Sequence, residues 1–254
     1  MSDERLVSNE YNAWSGEHLH RYIVAKGYIN SNDVVLDIAS GTGYGTCQLG
    51  MQTKNAVIGG DISEEAVAGC KKRWGPANPH VDFRVMDGTR LPFPDNYFDK
   101  IVSFETIEHT AQYREMLGEF KRVLKPAGTL VLSTPNQQIT SPDGIIHNPY
   151  HVQEFSLEQL QDMLSSLFPE IKMYGQRNAR FDKKGFRQSW QKLVTGFWNI
   201  RGIRKSPFKI KNKITAIFAG IQLFPQPEDF ILEKDSEKIQ LKCPVLLAVC
   251  KKSS

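Results

Sequence analysis

Long apolar runs are absent from this chain of 254 residues. No stretch approaches the roughly 18 apolar residues that a membrane-spanning helix needs, and Met1 to Arg5 carry no apolar signal region. Cysteine is scarce too: the four cysteines form no C-x-x-C pair and are too few for a disulfide scaffold. We therefore expect a cytoplasmic protein with reduced thiols. Its hydrophobic content of 40% is enough to build one α/β domain across residues 1–254.

Acidic residues are almost missing from one part of the chain. Residues 172–213 contain thirteen Lys or Arg and a single acid, Asp182, which gives a net charge of +12. The whole chain carries only +4, so the remainder is about −8. This separation of charge predicts a distinct surface that faces an acidic partner.

A short apolar strand followed by a glycine-rich turn dominates the first third of the chain. Residues 33–38 read as a buried strand, Gly41, Gly43 and Gly45 follow, and a helix opens at Thr46. Such a loop leaves backbone N–H groups open to a ligand and lets it approach closely, which predicts a nucleotide-type cofactor site. The spacing G-x-G-x-G differs from the dinucleotide pattern G-x-G-x-x-G. Asp37, four residues before the first glycine, suits a cationic group better than a pyrophosphate.

A second acid follows the next predicted strand, residues 56–58. Asp61 lies 18 residues past Gly43, where a carboxylate can accept both ribose hydroxyls of a cofactor. The alternative interpretation of Asp61 is a helix N-cap. Further strands are predicted at residues 81–85, 100–104, 129–134, 171–175 and 243–250, with helices between most of them. This alternation predicts a doubly wound parallel sheet.

Three motifs resemble those of the class I S-adenosylmethionine-dependent methyltransferases: D-x-A-S-G-T-G-x-G at residues 37–45, L-P-F-x-D-x-x-F-D at 91–99 and R-V-L-K-P-x-G-x-L-x-x-S-x-P-N at 122–136. The resemblance covers roughly residues 17–175 and 243–250. It implies a Rossmann-like sheet of seven strands and S-adenosylmethionine as the cofactor. The cofactor-binding residues that it implies are Asp37, Ala39, Ser40, Gly41, Gly43, Asp61, Ile62, Asp87, Gly88 and Phe104, with Tyr11 and Arg21 from the N-terminal segment.

The segment ahead of the glycine loop has its own resemblance. G-E-H-L-H-R-Y, ending at Tyr22, is similar to the N-terminal part of bacterial methyltransferases that act on surface glycans, in which the leading helix covers the cofactor. Residues 1–30 are therefore predicted to form lid helices, with Tyr11 and Arg21 as candidates for contact with the cofactor carboxylate. A plain amphipathic covering helix is the alternative.

Two carboxylates and a histidine follow the fourth predicted strand. If a helical turn begins there, Glu105, Glu108 and His109 share one face. Such a set can bind a divalent metal or orient a basic histidine, and helix capping is a third interpretation. E-x-x-E-H also resembles metal-dependent RNA 2′-O-methyltransferases, where these residues ligate the metal.

Two histidines flank a proline turn after the fifth predicted strand. His147, Tyr150 and His151 are suited to recognising and deprotonating a hydroxyl group, and N-P-Y-H-V-x-E resembles the same glycan methyltransferases. The alternative is that these residues lock the loop onto the sheet. We predict His109 or His151 as the catalytic base, oriented by Glu108. Glu105, His147 and Tyr150 are the predicted substrate contacts.

The predicted reaction is O-methylation of a sugar hydroxyl on a glycan or on its lipid- or nucleotide-linked precursor. One alternative is a metal-dependent RNA ribose 2′-O-methyltransferase that uses Glu105, Glu108, His109 and His151 as ligands; we do not expect a metal. Another is a small-molecule O- or N-methyltransferase, and a third is a non-catalytic cofactor-binding adaptor. The glycine loop argues against the adaptor.

About 65 residues separate the last two predicted strands, where the family has a short connection. This insertion, residues 180–242, mixes aromatic side chains with Lys and Arg and is predicted to be helical. Residues 183–213 suit contact with an anionic membrane surface or a phosphorylated lipid carrier, which would place the protein at the inner face of the membrane. Single-stranded nucleic acid is a less favoured partner, and a helical cap with solvated lysines is the plain alternative.

Overall fold

The structure is a computed structural model that describes residues 14–75, 78–182, 186–197 and 208–254. Tyr11 and the first thirteen residues of the predicted lid lie outside this range, as do residues 198–207 of the insertion. None of the helices within the described ranges is long and apolar enough to cross a membrane.

Eight strands of the described chain form one sheet in the order β3-β2-β1-β4-β5-β8-β6-β7. The first five in this order are parallel, and β8 runs antiparallel to both β5 and β6. The strands are β1 (Val35–Ile38), β2 (Val57–Asp61), β3 (Val81–Val85), β4 (Phe98–Phe104), β5 (Leu124–Pro135), β6 (Glu170–Asn178), β7 (Phe230–Glu233) and β8 (Val245–Lys251).

Helices follow most of the strands, as the sequence pattern predicts. Local signals fix their starts: the Ser63 hydroxyl caps α3, and Ser156 with Gln159 forms a capping box on α6. The α-helices are α1 (Ser15–Lys26), α2 (Tyr44–Gly50), α3 (Glu64–Trp74), α4 (Tyr113–Val123), α5 (Gln137–Thr140), α6 (Leu157–Ser165), α7 (Phe186–Phe197), α8 (Phe208–Ala219) and α9 (Ser236–Lys242).

The two faces of the sheet bury separate apolar cores. On one face, side chains of α4, α6 and α9 pack with Leu36, Ile38 and their neighbours on β4, β5 and β8. On the other face, α2, α3 and the second half of α1 pack with Val35, Val57 and Val102. Alternate residues of β1 therefore enter opposite cores, as a strand buried on both faces requires.

The order in which strands are added to the sheet reverses at β1, which makes this position a topological switch point. From β1 the chain adds β2 and β3 on one side, then returns to add β4 and β5 on the other. The carboxyl ends of β1, β2 and β4 thus open into one crevice, the place where doubly wound sheets bind ligands. The glycine loop leaves β1 at this point.

The predicted class I methyltransferase fold is confirmed, but the predicted count of seven strands is wrong. The eighth strand, β7, lies next to β6 at the edge of the sheet and falls inside the insertion that was predicted to be helical. The insertion also contributes α7, α8 and α9. Strand β6 also extends to Asn178, beyond the predicted end at residue 175.

The chain divides into two compact units. One contains Arg21–Arg177 and Leu232–Ser254, which hold the sheet from β1 to β6, β8 and the crevice. The other contains Asn178–Ile231, with α7 and α8, together with the described residues before Arg21.

Candidate active site

The glycine loop is held in a left-handed backbone conformation at three positions. Ala39, Gly41 and Gly43 have φ values of 61°, 54° and 73°, and Gly43 serves as the N-cap of α2. A Cβ on Gly41 would face open space, whereas one on Gly43 would lie 2.7 Å from the Phe83 ring. Gly43 therefore allows close packing, and the open side of the loop at Gly41 is available to a ligand.

Asp61 ties this loop to the end of β2. Its Oδ2 accepts a hydrogen bond from the Gly41 N–H at 2.9 Å, and its Oδ1 accepts one from the Ser63 N–H at 2.9 Å. The cap of α3 is Ser63, whose hydroxyl accepts from the Ala66 N–H, so the alternative interpretation of Asp61 as the N-cap is wrong. Asp61 thus stands at the crevice with a carboxylate oriented by two backbone donors.

Asp37 is buried beneath the loop. Its Oδ2 accepts a hydrogen bond from the Thr46 hydroxyl at 2.6 Å, and the Tyr22 hydroxyl lies 3.3 Å from both carboxylate oxygens. Burial raises the pKa of Asp37 to about 7, although the hydrogen bonds from Thr46 and Tyr22 oppose this shift. Asp37 therefore lies beneath the loop, where it is hydrogen-bonded to Thr46 and Tyr22. The sequence analysis did not identify these two hydroxyl partners as site residues.

The remaining cofactor candidates on β2 and β3 have different settings. Ile62 is 70% exposed just beyond Asp61 and offers an apolar surface. Asp87 is exposed, and its Oδ1 accepts from both the backbone N–H and the hydroxyl of Thr89. Gly88 is buried, and a Cβ there would lie 3.0 Å from the Met116 side chain. Asp87 is thus a fixed and accessible acceptor at the end of β3.

Phe104 and Arg21 lie close to the crevice but are occupied by protein contacts. The Phe104 ring packs edge-on against Tyr22 with ring centroids 5.1 Å apart. Arg21 is buried, and its Nη1 donates to Gln176 Oε1 on β6 at 2.9 Å. The predicted contact of Arg21 with a cofactor carboxylate stays a prediction.

The residues around the loop fit a cofactor that has hydroxyl groups and other polar groups able to hydrogen-bond to the protein backbone. The Ser40 Oγ is buried without a hydrogen-bond partner among the described residues, which marks a polar position that a ligand can satisfy. The open side of Gly41 and the carboxylates of Asp61 and Asp87 border the same crevice. This donor and acceptor set suits the ribose and amino-acid ends of S-adenosylmethionine.

A second group of polar residues begins at the end of β4. The condition that would put Glu105, Glu108 and His109 on one helical face is not met, because Glu105 has φ 50° and the 3-10 turn there is limited to Ile107–His109. The Glu105 carboxylate accepts from the Ser133 hydroxyl at 2.6 Å. A left-handed non-glycine residue at a strand end is strained, and such strain concentrates at functional sites.

Glu108 is fully buried, and its two oxygens differ. Oε2 accepts from the Thr134 hydroxyl at 2.9 Å, whereas Oε1 has no hydrogen-bond partner within the described chain. Burial raises the pKa of Glu108 well above its usual range, and the nearby charge of Glu105 raises it further. The raised pKa favours the protonated carboxyl of Glu108 over its carboxylate.

His109 is oriented by the main chain. Its Nδ1 lies 2.9 Å from the Tyr150 carbonyl oxygen, which can only accept, so the neutral ring carries its proton on Nδ1. The lone pair is then on Nε2, which lies 3.8 Å from Glu108 Oε1. The orienting hydrogen bond thus comes from Tyr150, not from Glu108 as the sequence predicted.

His151 is fixed on both sides. Asn148 Oδ1 accepts from the Tyr150 N–H, so its Nδ2 is the donor to His151 Nε2 at 2.9 Å. His151 Nδ1 then carries the proton and donates to Glu154 Oε1 at 2.8 Å. Burial opposes ionisation of Glu154, but the hydrogen bonds from Thr140 and His151 outweigh it and lower its pKa. These bonds lock the His151 ring.

The two imidazoles and Glu108 form a compact cluster. The rings of His109 and His151 meet edge to face with centroids 5.0 Å apart, and one potential ligand atom from each of the three residues lies within 4.8 Å of the others. Glu105, a predicted fourth metal ligand, is outside this set. We name Glu108, His109 and His151 the histidine cluster.

His147 and Tyr150, the other two predicted substrate contacts, are both exposed. His147 is exposed, and its Nε2 lies 3.3 Å from Asp143 Oδ2 in the same loop. Tyr150 contributes its backbone to the histidine cluster, and its ring is exposed. Asn148 and Glu154 hold His151 but were not chosen as site residues. Their spacing in N-x-x-H-x-x-E was a usable signal.

Comparisons with known proteins agree with this geometry. Residues 36–132 match the family model of a methyltransferase domain. A probable S-adenosylmethionine-dependent methyltransferase of Mycolicibacterium smegmatis is 34% identical over 174 residues, which are 67% of this chain and 65% of that protein. The ubiquinone/menaquinone biosynthesis C-methyltransferase UbiE of Desulfotalea psychrophila is 35% identical over 112 residues, 44% of this chain and 45% of that protein. This chain thus spans less than two thirds of either relative.

The YcgJ protein of Bacillus subtilis has the same fold, with a TM-score of 0.61 and 19% identity over 93% of this chain and 99% of that structure. The family match runs from β1 into β5, the strands that build the crevice. Residues 36–132 are therefore a methyltransferase domain with a Rossmann-like sheet, and the chain is similar to S-adenosylmethionine-dependent methyltransferases.

Proposed function

We propose that the protein methylates a sugar hydroxyl on a glycan or on its lipid- or nucleotide-linked precursor. The observation that carries this proposal is the histidine cluster, which puts a lone-pair nitrogen, His109 Nε2, beside the end of β4. S-adenosylmethionine supplies an electrophilic methyl group when bound. The chain must then hold an acceptor oxygen in line with that group, and alignment accounts for much of the rate.

A sugar hydroxyl is a weak acid, so its attack requires a base. His109 accepts the hydroxyl proton at Nε2, while the Tyr150 carbonyl keeps the ring in the required tautomer. The imidazolium formed lies beside Glu108 Oε1 at 3.8 Å. The partial negative charge on that carboxyl oxygen stabilises the imidazolium, and no second proton transfer is needed.

His151 has a different role in this proposal. Its two nitrogens are engaged by Asn148 and Glu154, so its lone pair is already in use. We assign it to positioning, because its ring packs against His109 and limits the rotation of that ring. We therefore propose His109 as the base and His151 as a positioning residue.

A polyhydroxylated acceptor is supported by the chemistry of the surrounding side chains. Glu105 is a half-buried carboxylate near Glu108, and His147 and Tyr150 are exposed polar residues of the loop that carries His151. The resemblance of residues 148–154 to glycan methyltransferases points to the same class of acceptor. A lipid-linked or anionic acceptor would also suit the net charge of +12 over residues 172–213.

The test is transfer of a tritiated methyl group from S-adenosylmethionine to a panel of nucleotide-linked and lipid-linked hexoses. For an accepted sugar, His109→Asn should lower kcat by about a hundredfold or more, without changing the affinity for S-adenosylhomocysteine. His147→Ala is the matched comparison, because that ring is exposed and lies beside Asp143. A raised KM there would support the predicted substrate contact. Methyl transfer to none of the hexoses, or an unaltered kcat in His109→Asn, would refute the proposal.

A metal-dependent hydroxyl methyltransferase, including one that acts on RNA ribose, is the second candidate. It is favoured by one observation: both imidazoles of the cluster have Nδ1 directed at an oxygen acceptor, as ligating histidines commonly do. Glu108 Oε1, His109 Nε2 and a nitrogen of His151 would be the ligands, and Asn148 would have to release His151 Nε2. Calorimetric binding of Co²⁺ or Mn²⁺ that is lost in His151→Ala, with activity abolished by chelator, would replace the base mechanism by this one.

A further inference from the structure

The helical pair α7–α8, in the unit that contains Asn178–Ile231, buries polar side chains and leaves large apolar side chains exposed. The residues between the helices include the polar Gln191 and Thr215, which are buried with Val194 and Ala219. Gln191 donates to the Ala219 carbonyl at 3.1 Å, and Thr215 donates to the Lys211 carbonyl. The buried polar groups are thus satisfied, and the pair is held together by hydrogen bonds as well as packing.

Large apolar side chains lie on the outside of the same pair. Trp190, Leu193, Ile210, Ile217 and Phe218 are between 44% and 68% exposed. Leu193 follows Trp190 by three residues, and Ile217 follows Ile210 by seven, so each helix presents its apolar residues along one side. Exposed apolar groups this numerous on two adjacent helices mark a surface that meets a partner. We name these five residues the α7–α8 apolar surface.

The stretch of sequence that carries this surface has charge of a single sign. Residues 183–227 contain ten Lys or Arg and no acid, and Lys192 and Lys213 are exposed on α7 and α8 themselves. A second copy of the chain would bring this charge against itself, so self-association is disfavoured. Three of the five apolar residues are aliphatic and have no ring for a base to stack on, which disfavours single-stranded nucleic acid. The partner must therefore be both apolar and anionic.

We propose that the α7–α8 apolar surface docks onto an anionic lipid bilayer, with its apolar side chains in the interface and its lysines at the lipid phosphates. Interfacial helices combine an apolar side with Lys and Arg in this way. The Trp190 indole is amphipathic, and its N–H already donates to the Phe218 carbonyl at 2.8 Å, so the ring can enter the interface without an unsatisfied donor. This inference goes beyond the proposed reaction and does not depend on it.

The experiment is sedimentation of the full chain with vesicles of phosphatidylcholine alone or with roughly 30% phosphatidylglycerol. We expect binding to the anionic vesicles that weakens as salt rises. The double variant Leu193→Ser/Ile217→Ser should bind at least tenfold more weakly, and Lys192→Glu/Lys213→Glu at least fivefold more weakly. Leu241→Ser on α9, which removes a side chain of similar exposure elsewhere, is the control and should bind like the wild type.

Several results would overturn the proposal. They are a wild-type chain that stays in the supernatant with both vesicles, or a Leu193→Ser/Ile217→Ser variant that binds like the wild type. Displacement of the chain from vesicles by an equal mass of single-stranded RNA would assign the surface to nucleic acid. A dimer in sedimentation velocity that this variant converts to monomer would assign it to a second copy. Because all four substituted positions are exposed, each variant should keep the wild-type thermal melting curve.

Discussion

The buried carboxyl of Asp37 makes the stability of the cofactor-free protein depend on pH in a way that Asp37→Asn should abolish. Its pKa is raised from 3.8 to about 7, chiefly by burial. A carboxyl raised in this way binds its proton more tightly in the folded chain, so its contribution is intact below pH 4 and is lost as the pH rises through about 7. The slope is about 1.4 kcal/mol per pH unit, so the full span amounts to about 4 kcal/mol.

Asparagine has nearly the same shape and stays neutral, and its oxygen can accept the Thr46 hydroxyl that now bonds to Asp37. We therefore expect Asp37→Asn to match the wild type near pH 4 and to exceed it by a few kcal/mol at pH 8. Urea unfolding followed by circular dichroism at each pH measures the difference. Asp82→Asn, at an exposed carboxylate on β3, should show no such change with pH. If Asp37→Asn is less stable than the wild type at pH 8, the folded chain favours the charged carboxylate over the neutral side chain, which would contradict this prediction.

Three further predictions concern the same unit. Ala39→Gly should raise the free energy of unfolding by about 1 kcal/mol in urea, because φ 61° strains any residue with a Cβ; a loss of stability would contradict this. Gly45→Ala should lower it by more than about 3 kcal/mol, because the new Cβ would lie 1.9 Å from the Tyr22 ring, whereas Gly69→Ala, with open space around it, should not destabilise. Glu108→Gln should gain stability relative to the wild type as the pH rises from 5 to 8, because burial raises the pKa of Glu108 well above its usual range; a difference in the free energy of unfolding that stays constant with pH would contradict this.

The parts of the fold governed by local patterns were predictable from the sequence. The strand, glycine turn and helix start around Asp37–Gly45 form a signal within a dozen residues, and the structure has β1 and α2 there. The Ser63 cap with its following acids fixed the start of α3 in the same way. Because parallel strands bring their carboxyl ends together, the sequence alone predicts that Asp61 and Asp87 lie at one edge of the sheet.

Features set by distant contacts were not predictable in this way. Strand β7 has only four residues, Phe230–Glu233, too few for a clear period-2 pattern, and it forms only by pairing with β6, which lies about 50 residues earlier in the sequence. The left-handed Glu105 could not be foreseen, since that conformation is normally adopted by glycine. The role of His109 depends on a carbonyl 41 residues away, that of Tyr150, which no spacing rule connects to it.

Calorimetric titration with S-adenosylmethionine and S-adenosylhomocysteine tests the central claim most directly. The Asp61 carboxylate is held by two backbone donors at the mouth of the crevice, so we predict saturable binding of both ligands to the wild type. In Asp61→Ala the affinity should fall about tenfold or more, while Asp82→Ala, at an exposed carboxylate, should bind like the wild type. Absence of binding to either ligand, or equal binding by Asp61→Ala, would contradict the cofactor site described for this fold.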